Sequence, residues 1–208
     1  RQEEMLTHAV RPEIGCVGAK LLYPDGRLQH GGVIVGLGGG AGHSHKYACR
    51  GSRGYCGQLS VARNSTAVTA ACLMVRKQVY MASGGLDESN LKVAFNDVDF
   101  CLRVEKIGYI NFWTPFAELY HHESASRGSD QETTQKKERS SREILGLRNR
   151  WNLRTFSDTK YNSNLTNGSE QFWFGINKKS SSYPAVLGDL KIVEGIDDSA
   201  NSKSKILS

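Results

Sequence analysis

A chain of 208 residues, 38% hydrophobic and 23% charged, is long enough for one domain with a real core and has the make-up of a soluble globular protein. Its longest apolar runs, such as AVTAACLMV (67–75), fall well short of the ~20 residues that cross a bilayer, and RQEEMLTHAV at the start lacks the apolar core of a signal peptide. The net charge of +6 favours anionic partners, and five cysteines with no CxxC argue for reduced thiols, hence a cytoplasmic placement that includes the inner face of a membrane.

Residues 2–10 read as a helix. CVGAKLLY (16–23) reads as a buried strand, PDG (24–26) as a tight turn and RLQHGGVIVG (27–36) as the return strand of a hairpin. Residues 36–57, rich in Gly, His, Cys and Arg and without period, read as a long mobile loop. STAVTAACLMVRK (65–77) is β-branched and small and suits a central strand; QVYMASGG then forms a short helix closed by Gly84 and Gly85. A second helix starts near Asn96 or Asp97, carries Val98, Cys101, Leu102 and Ile107 at helical spacing, and stops at Gly108. YINFWTP (109–115) is a further strand and AELYHHES (117–124) a last short one. Between 130 and 151 a peripheral helix follows, with Glu132/Lys136 and Glu138/Arg142 at i,i+4 and a stripe of Ile144, Leu147 and Trp151. Residues 153–208 read as an irregular, partly disordered tail, clamped if at all by Phe172, Trp173 and Phe174. Strands and helices mixed in this order imply an α/β or α+β domain.

The string VAFNDVDFCLR (93–103) sets two acids at the start of a helix, where the dipole favours negative charge by typically ~0.3–1 kcal/mol. A plain charged helix start explains that equally well. Asp97 stands out by its company: Gly84, Gly85 and the polar LDESN, with Asp87 and Glu88, suggest a loop edge open to a substrate. Asp99 lies ~200° away on the helix and suits a structural acid paired with Arg103 at i+4. The pair also matches a DxD pattern, but two positions apart on a helix do not converge on one ion.

In YHHESASRG (120–128), His121 and His122 follow a strand end. They suit ligands of a divalent cation shared with phosphate oxygens, with Arg127 meeting phosphate; a surface turn with a Ser-centred hydrogen-bond network fits the residues as well. GLGGGAGHSHK (36–46) reads as a flexible loop rather than a pyrophosphate cradle. His43, His45, Cys49 and Cys56 are a possible zinc set with an unusual spacing, and Cys72 and Cys101 sit in apolar runs as core residues. No GxSxG is present. The basic stretch from Lys136 to Arg154 reads as a solvated face rather than a nucleic-acid surface.

Four strings taken together, VGAKLLYPDGRLQHGGVIVGLGG, VTAACLMVRK, GGLDESNLKVAFNDVDFCLRVEKIGY and PFAELYHHESASRG, resemble the C-terminal half of family 2 glycosyltransferases of the rhamnosyltransferase-like kind, which build bacterial polysaccharides. The resemblance runs in continuous order over residues 10–152 and fades through the tail. It implies an α/β, mixed-sheet GT-A-type domain over residues 1–152. It also implies inverting transfer of a sugar from a nucleotide-sugar donor to a hydroxyl of a glycan or lipid-linked acceptor. Asp97 matches the general base, preceded here by Asn96 where many members have Glu. His121, or His122 as the alternative, matches a ligand of the Mg or Mn ion held with the nucleotide diphosphate. Asn96, Asp87, Glu88, Trp113 and Arg127 are the expected substrate-side residues.

The nucleotide-binding half of that family, with its metal-binding DxD, would precede RPEIGCVGAKLLYPDG. The expectation is therefore an acceptor-side part of a larger enzyme that alone transfers little or no sugar. Two other classes compete. One is a carbohydrate- or anion-binding module using Trp113, Phe116 and Tyr120; the other is a zinc-stabilised domain around residues 43–56.

Overall fold

In the computed structural model, which describes residues 1–122, 133–168 and 172, strand β1 (Ile14–Leu22) is buried from end to end. Its pleat sends Val17, Ala19 and Leu21 to one face and Cys16 and Leu22 to the other. Both faces are covered, which is why the strand reads as a continuous apolar run rather than an alternating one. Helix α1 (Gln2–Ala9) lays Met5 and Ala9 on the first face. Further along the chain, α3 (Asn96–Lys106) and α4 (Thr134–Trp151) close the second with Phe100, Leu102 and Leu147.

One edge of β1 pairs antiparallel with β2 (Leu28–His30) and with β6 (Leu73–Val75). The other edge pairs in parallel with β7 (Ile110–Tyr120), which in turn pairs antiparallel with β5 (Arg63–Asn64). The result is a mixed sheet in an α/β domain, as the order of elements implies. Lys20, almost buried, is neutralised across the parallel ladder by Glu118 at 3.0 Å, and Arg50 meets the same carboxylate at 2.6 Å. Burial works to raise the Glu118 carboxyl, but the bonds to Lys20 and Arg50 outweigh it and hold it below its ordinary range. Among the described residues no helix is long and apolar enough to cross a membrane.

Several elements depart from the sequence reading, each for a local reason. The return strand breaks at Gly31-Gly32, where Gly32 takes φ +96°; β2 stays in the main sheet, and β3 (Val33–Val35) turns off to pair with β4 (Ala41–His43). The stretch 36–57 is accordingly no free loop. It contributes β4, and the Tyr47 N–H donates to Leu28 O while the Leu28 N–H donates to Ala48 O. Of residues 65–77 only Leu73–Val75 joins the sheet, at an edge, because the Thr69 hydroxyl accepts the Ala71 N–H and winds 70–72 into a short 3-10 turn. The two strands expected at 109–115 and 117–124 are one. Ala19 faces Thr114 whereas Lys20 faces Glu118, so Pro115, which has no N–H for a ladder, sits in the bulge between them.

Helix α2 (Lys77–Ala82), α3 and α4 fall where the periodicity puts them. Thr133 caps α4 by accepting the Lys136 N–H at 3.2 Å; Glu132 lies outside the described residues. Residues 153–168 do not leave the domain as a loose tail. Leu153 and Leu165 are buried, and buried Asp158 accepts the Val35 N–H at 2.9 Å. Phe172 stacks on His45 and Tyr55, while Trp173 and Phe174 lie outside the described residues.

Gly18 is the point where β1 touches the segment before β6: a Cβ there would stand 2.5 Å from the Cβ of Val68, an atom with no freedom to swing aside. Gly18→Ala is expected to lower stability by ~1–3 kcal/mol, read as a shift of the urea midpoint without a change of slope.

His45 is the second check. Burial, and after it the charge of Arg63, lowers its pKa from 6.5 to about 4, and its Nε2 accepts the Tyr55 N–H at 2.9 Å. Between about 6.5 and about 4 the unfolded chain takes up a proton that the folded chain refuses, so stability is full above that window and falls with pH through it. His45→Gln is expected to flatten that part of the pH–stability curve, measured by denaturant titration at stepped pH.

Candidate active site

The loop from α2 to α3 is built to present the start of α3. Gly84 and Gly85, at φ +82° and +67°, end α2 and turn the chain back. Arg103 fastens that turn by donating to Ser83 O and, at 2.7 Å, to Gly85 O. Asp87 then closes a local turn by accepting the N–H groups of Ser89 and Asn90 at 3.0 and 2.9 Å. Those Asn90 bonds, backbone first and side chain next, and then Arg150, hold the Asp87 carboxyl well below the ordinary carboxylate range. Phe95, a non-glycine residue at φ +62°, takes the cap position, with its ring packed partly into the core. Its left-handed backbone turns the chain straight into Asn96 and Asp97 without a capping side chain.

The two acids of this helix have separate surroundings. Asp99 is 0% exposed and accepts from Arg103 Nε at 2.9 Å, Arg150 Nη1 at 3.0 Å and Trp151 Nε1 at 2.8 Å. Asp97 is half-buried; its Oδ2 accepts the Ala70 N–H at 3.0 Å and its Oδ1 the Val98 N–H at 2.9 Å. Among the described residues Asp97 makes no ion pair. The expected pairing of Asp99 with Arg103 is present, enlarged by two donors from α4.

A run of polar groups leads from Asp97 toward the end of β7. Ala70 and Thr69 hold one end, and the Thr69 N–H points at Nε2 of His30 from 3.5 Å, a long contact. His30 is fully buried, and that burial, followed by the charges of His43 and Arg63, lowers its pKa well below 6.5 and keeps it neutral. Its Nδ1 meets no hydrogen-bond partner among the described residues. The His43 ring stands edge-on to it with centroids 4.9 Å apart, and His43 Nδ1 meets Gln29 O at 2.9 Å. Gln29 Oε1 in turn lies 2.8 Å from His121 Nδ1. That contact orients the His121 ring through Nδ1, the kind of outer hydrogen bond that fixes a ligating imidazole.

The remaining sequence candidates fall into different places. Asn96 is half-buried beside Asp97, and Glu88 and His122 are exposed. Trp113 is a correction: it is 0% exposed, sits in the core and donates its Nε1 to Ala19 O at 3.2 Å, so it presents no face to a substrate. Arg127 lies outside the described residues. Phe116 and Tyr120, 65% and 50% exposed, remain on the surface of β7.

The zinc set is also corrected. Both nitrogens of His45 are occupied, by Ser44 Oγ and the Tyr55 N–H, and Cys49 and Cys56 are free and exposed. Among the described residues no three His, Cys, Asp or Glu side chains converge for a metal ion. His121 fits as a single ligand, and the described residues do not complete a set around it. Sequence reasoning missed the Thr69-Ala70 backbone that holds Asp97 and the buried His30 behind it; the hydroxyl of Thr69 before small residues is the only local signal of that turn.

Fold and site together define an α/β domain with a half-buried carboxylate at a helix start and an imidazole just past the end of β7. No family model matches the chain. It is 53% identical over 162 residues to an uncharacterized protein of Sinorhizobium fredii, covering 78% of this chain and 18% of that protein. With the O-antigen biosynthesis protein RfbC of Myxococcus xanthus it shares 41% identity over 129 residues, 62% of this chain and 10% of that one. With the N-acetylglucosaminyl-diphospho-decaprenol L-rhamnosyltransferase of Mycobacterium tuberculosis it shares 35% over 63 residues, 30% of this chain and 20% of the relative. The chain thus spans at most 20% of the length of these curated relatives. The names of the latter two point to a glycosyltransferase-like protein.

The different surroundings of the two acids predict different costs on removal. Asp99→Ala leaves the Trp151 N–H without its acceptor and takes one of two carboxylates from Arg150, and is expected to cost ~1–3 kcal/mol, whereas Asp97→Asn is expected to stay within ~1 kcal/mol, both by urea denaturation.

Proposed function

We propose that this chain is the acceptor-side part of a family 2, GT-A-type glycosyltransferase that moves a sugar from a nucleotide-sugar donor to a hydroxyl of a glycan or lipid-linked acceptor, with inversion. The observation that carries this reading is Asp97: a half-buried carboxylate at a helix start, held by two backbone N–H groups and, among the described residues, by no cation. A carboxylate so placed is oriented without being neutralised, and each oxygen retains a lone-pair direction for a hydroxyl.

In the proposed step, Asp97 takes the proton of the acceptor hydroxyl as its oxygen attacks the anomeric carbon from the face opposite the nucleotide. The new glycosidic C–O bond forms while the bond from the anomeric carbon to the diphosphate oxygen breaks, and the nucleoside diphosphate leaves with that electron pair. Asn96, next to the carboxylate in sequence, and Glu88, exposed on the loop before it, are the proposed substrate-side residues; Asp87 acts by shaping the loop, since Asn90 and Arg150 already occupy its oxygens.

A divalent ion, Mg or Mn, would offset charge on the departing diphosphate. His121, with His122 as alternative, is the residue proposed to contribute to it, and the other ligands are not in the described part of this chain. The relatives named for O-antigen biosynthesis and rhamnosyl transfer support a role in assembling bacterial surface glycans. That setting makes the inner face of a membrane the expected workplace, and nucleic acid is not an expected partner.

A second reading, a carbohydrate-binding surface without catalysis, draws on exposed Phe116 and Tyr120. One experiment separates the two. In the protein that carries this chain, Asp97→Asn is expected to lower turnover ~10²-fold or more with donor affinity little changed. Turnover at the original rate would return Asp97 to the role of helix-start acid.

A further inference from the structure

Residues 153–168 follow α4 and lie beyond the stretch 10–152 that carries the resemblance. Their central group is Asp158, a buried carboxylate that the proposed reaction does not use. Its Oδ2 accepts the Val35 N–H at 2.9 Å, and its Oδ1 accepts the Lys160 N–H at 2.9 Å and the Thr66 hydroxyl. Burying a carboxylate is costly unless its lone pairs are filled, and the donors that fill them come from this strap, from β3 and from the chain before β6. Lys160, two residues on, pairs through Nζ with Glu105 in the last turn of α3. One short segment thus joins β3, the chain before β6 and the helix that carries Asp97.

The chain before β6 supplies the second observation. Over residues 66–70 it runs along α3 and is joined to it at three points. Asn111, buried on β7, donates from Nδ2 to Thr66 O at 3.0 Å and to Cys101 O at 2.9 Å, so one amide bridges segment and helix. The Val68 N–H meets Cys101 Sγ at 3.4 Å, and the Ala70 N–H reaches Asp97 Oδ2 at 3.0 Å. These contacts recur at every second residue, as an extended chain requires. Ala70 itself is exposed, so its N–H is kept on Asp97 by the register of the segment rather than by packing around its own side chain. Thr66 is the buried end of that register, and Asp158 holds its hydroxyl.

We infer that Asp158 is a positioning residue for Asp97: through the Thr66 hydroxyl it fixes the 66–70 segment against α3, and the Ala70 N–H of that segment aims the Asp97 carboxylate. The inference rests on the proposed role of Asp97 and adds to it a requirement for the segment that follows α4. A general base works only within hydrogen-bond reach of the proton it takes, so a segment free to slide along α3 would leave the carboxylate in place but misdirected.

The test compares Thr66→Val, which removes the hydroxyl and keeps the branched shape, with Thr66→Ser, which keeps the hydroxyl. In the full 208-residue chain, amide hydrogen exchange followed by NMR is expected to run ~10-fold faster at Ala70 in Thr66→Val, measured against the amides of β1, and near the original rate in Thr66→Ser. Scaling to β1 removes any general loss of stability. In the protein that carries this chain, Thr66→Val is expected to lower kcat ~10-fold with KM little changed, and Thr66→Ser to recover most of it. Asp158→Ala is expected to move both readings in the direction of Thr66→Val; should thermal unfolding show that it does not fold, the Thr66 pair decides alone. Ala70 exchange that merely follows β1, kcat untouched by Thr66→Val, or Thr66→Ser as impaired as Thr66→Val overturns the inference. Exchange is read without turnover, so the two failures are distinct: turnover surviving Asp97→Asn removes the base, whereas unchanged Ala70 exchange removes the link from Asp158.

Discussion

The buried carboxylate of Asp99 is the constraint on which the rest of the arrangement depends. An ionised group with no solvent access is costly unless its lone pairs are filled, and three donors fill them here, one from its own helix and two from α4. Removing any one member leaves the others exposed to that cost, so the contact fixes where α4 lies relative to α3. Arg150 extends the clamp to Asp87 at 2.7 Å, and Arg103 extends it to the carbonyls that end α2. One buried charge thereby holds the loop between α2 and α3 and both helices that border it.

The same contact explains why Asp97 is left open. Two residues along an α-helix turn the side chain through ~200°, so when Asp99 faces inward toward α4, Asp97 faces the turn at Thr69-Ala70. A two-residue spacing that would place both oxygens on one ion in a strand divides them in a helix, one for structure and one facing the surface. The left-handed backbone at Phe95 is part of this division. It starts the helix abruptly at Asn96, so that Asp97 falls in the first turn rather than in a preceding extended segment.

How much of this could be read from the chain follows the range of the interactions involved. The α3 helix, its stop at Gly108 and the Asp99–Arg103 pair are local and periodic, and they were legible. Lys20–Glu118, the Asp99 contacts with Arg150 and Trp151, and Asp158 beneath Val35 join residues far apart in sequence, and no period announces them. Trp113 misleads for a physical reason: an aromatic ring near a strand end serves a sugar face or a core equally well, and only the parallel neighbour β1 decides it. The stretch 36–57 looked loose because its glycines and histidines carry no hydrophobic signal. Its order comes instead from backbone pairing with β2 and β3.

The distribution of cations gives the candidate base its character. Several buried or half-buried acids have cations of their own: Asp99 has Arg103 and Arg150, Glu118 has Lys20 and Arg50, and Glu105 has Lys160. Asp97 is met instead by amide N–H groups, and beyond them stands His30, kept uncharged by burial. A cation in contact with a carboxylate occupies its oxygens from the side a substrate would use, whereas a single backbone N–H on each oxygen fixes the group and leaves a second lone-pair direction on each. With the strong cations paired to other acids, one carboxylate is positioned by backbone contacts, with a lone-pair direction on each oxygen left over from those contacts. A group that only capped a helix would gain from a neighbouring lysine or arginine, and this one is held without either among the described residues.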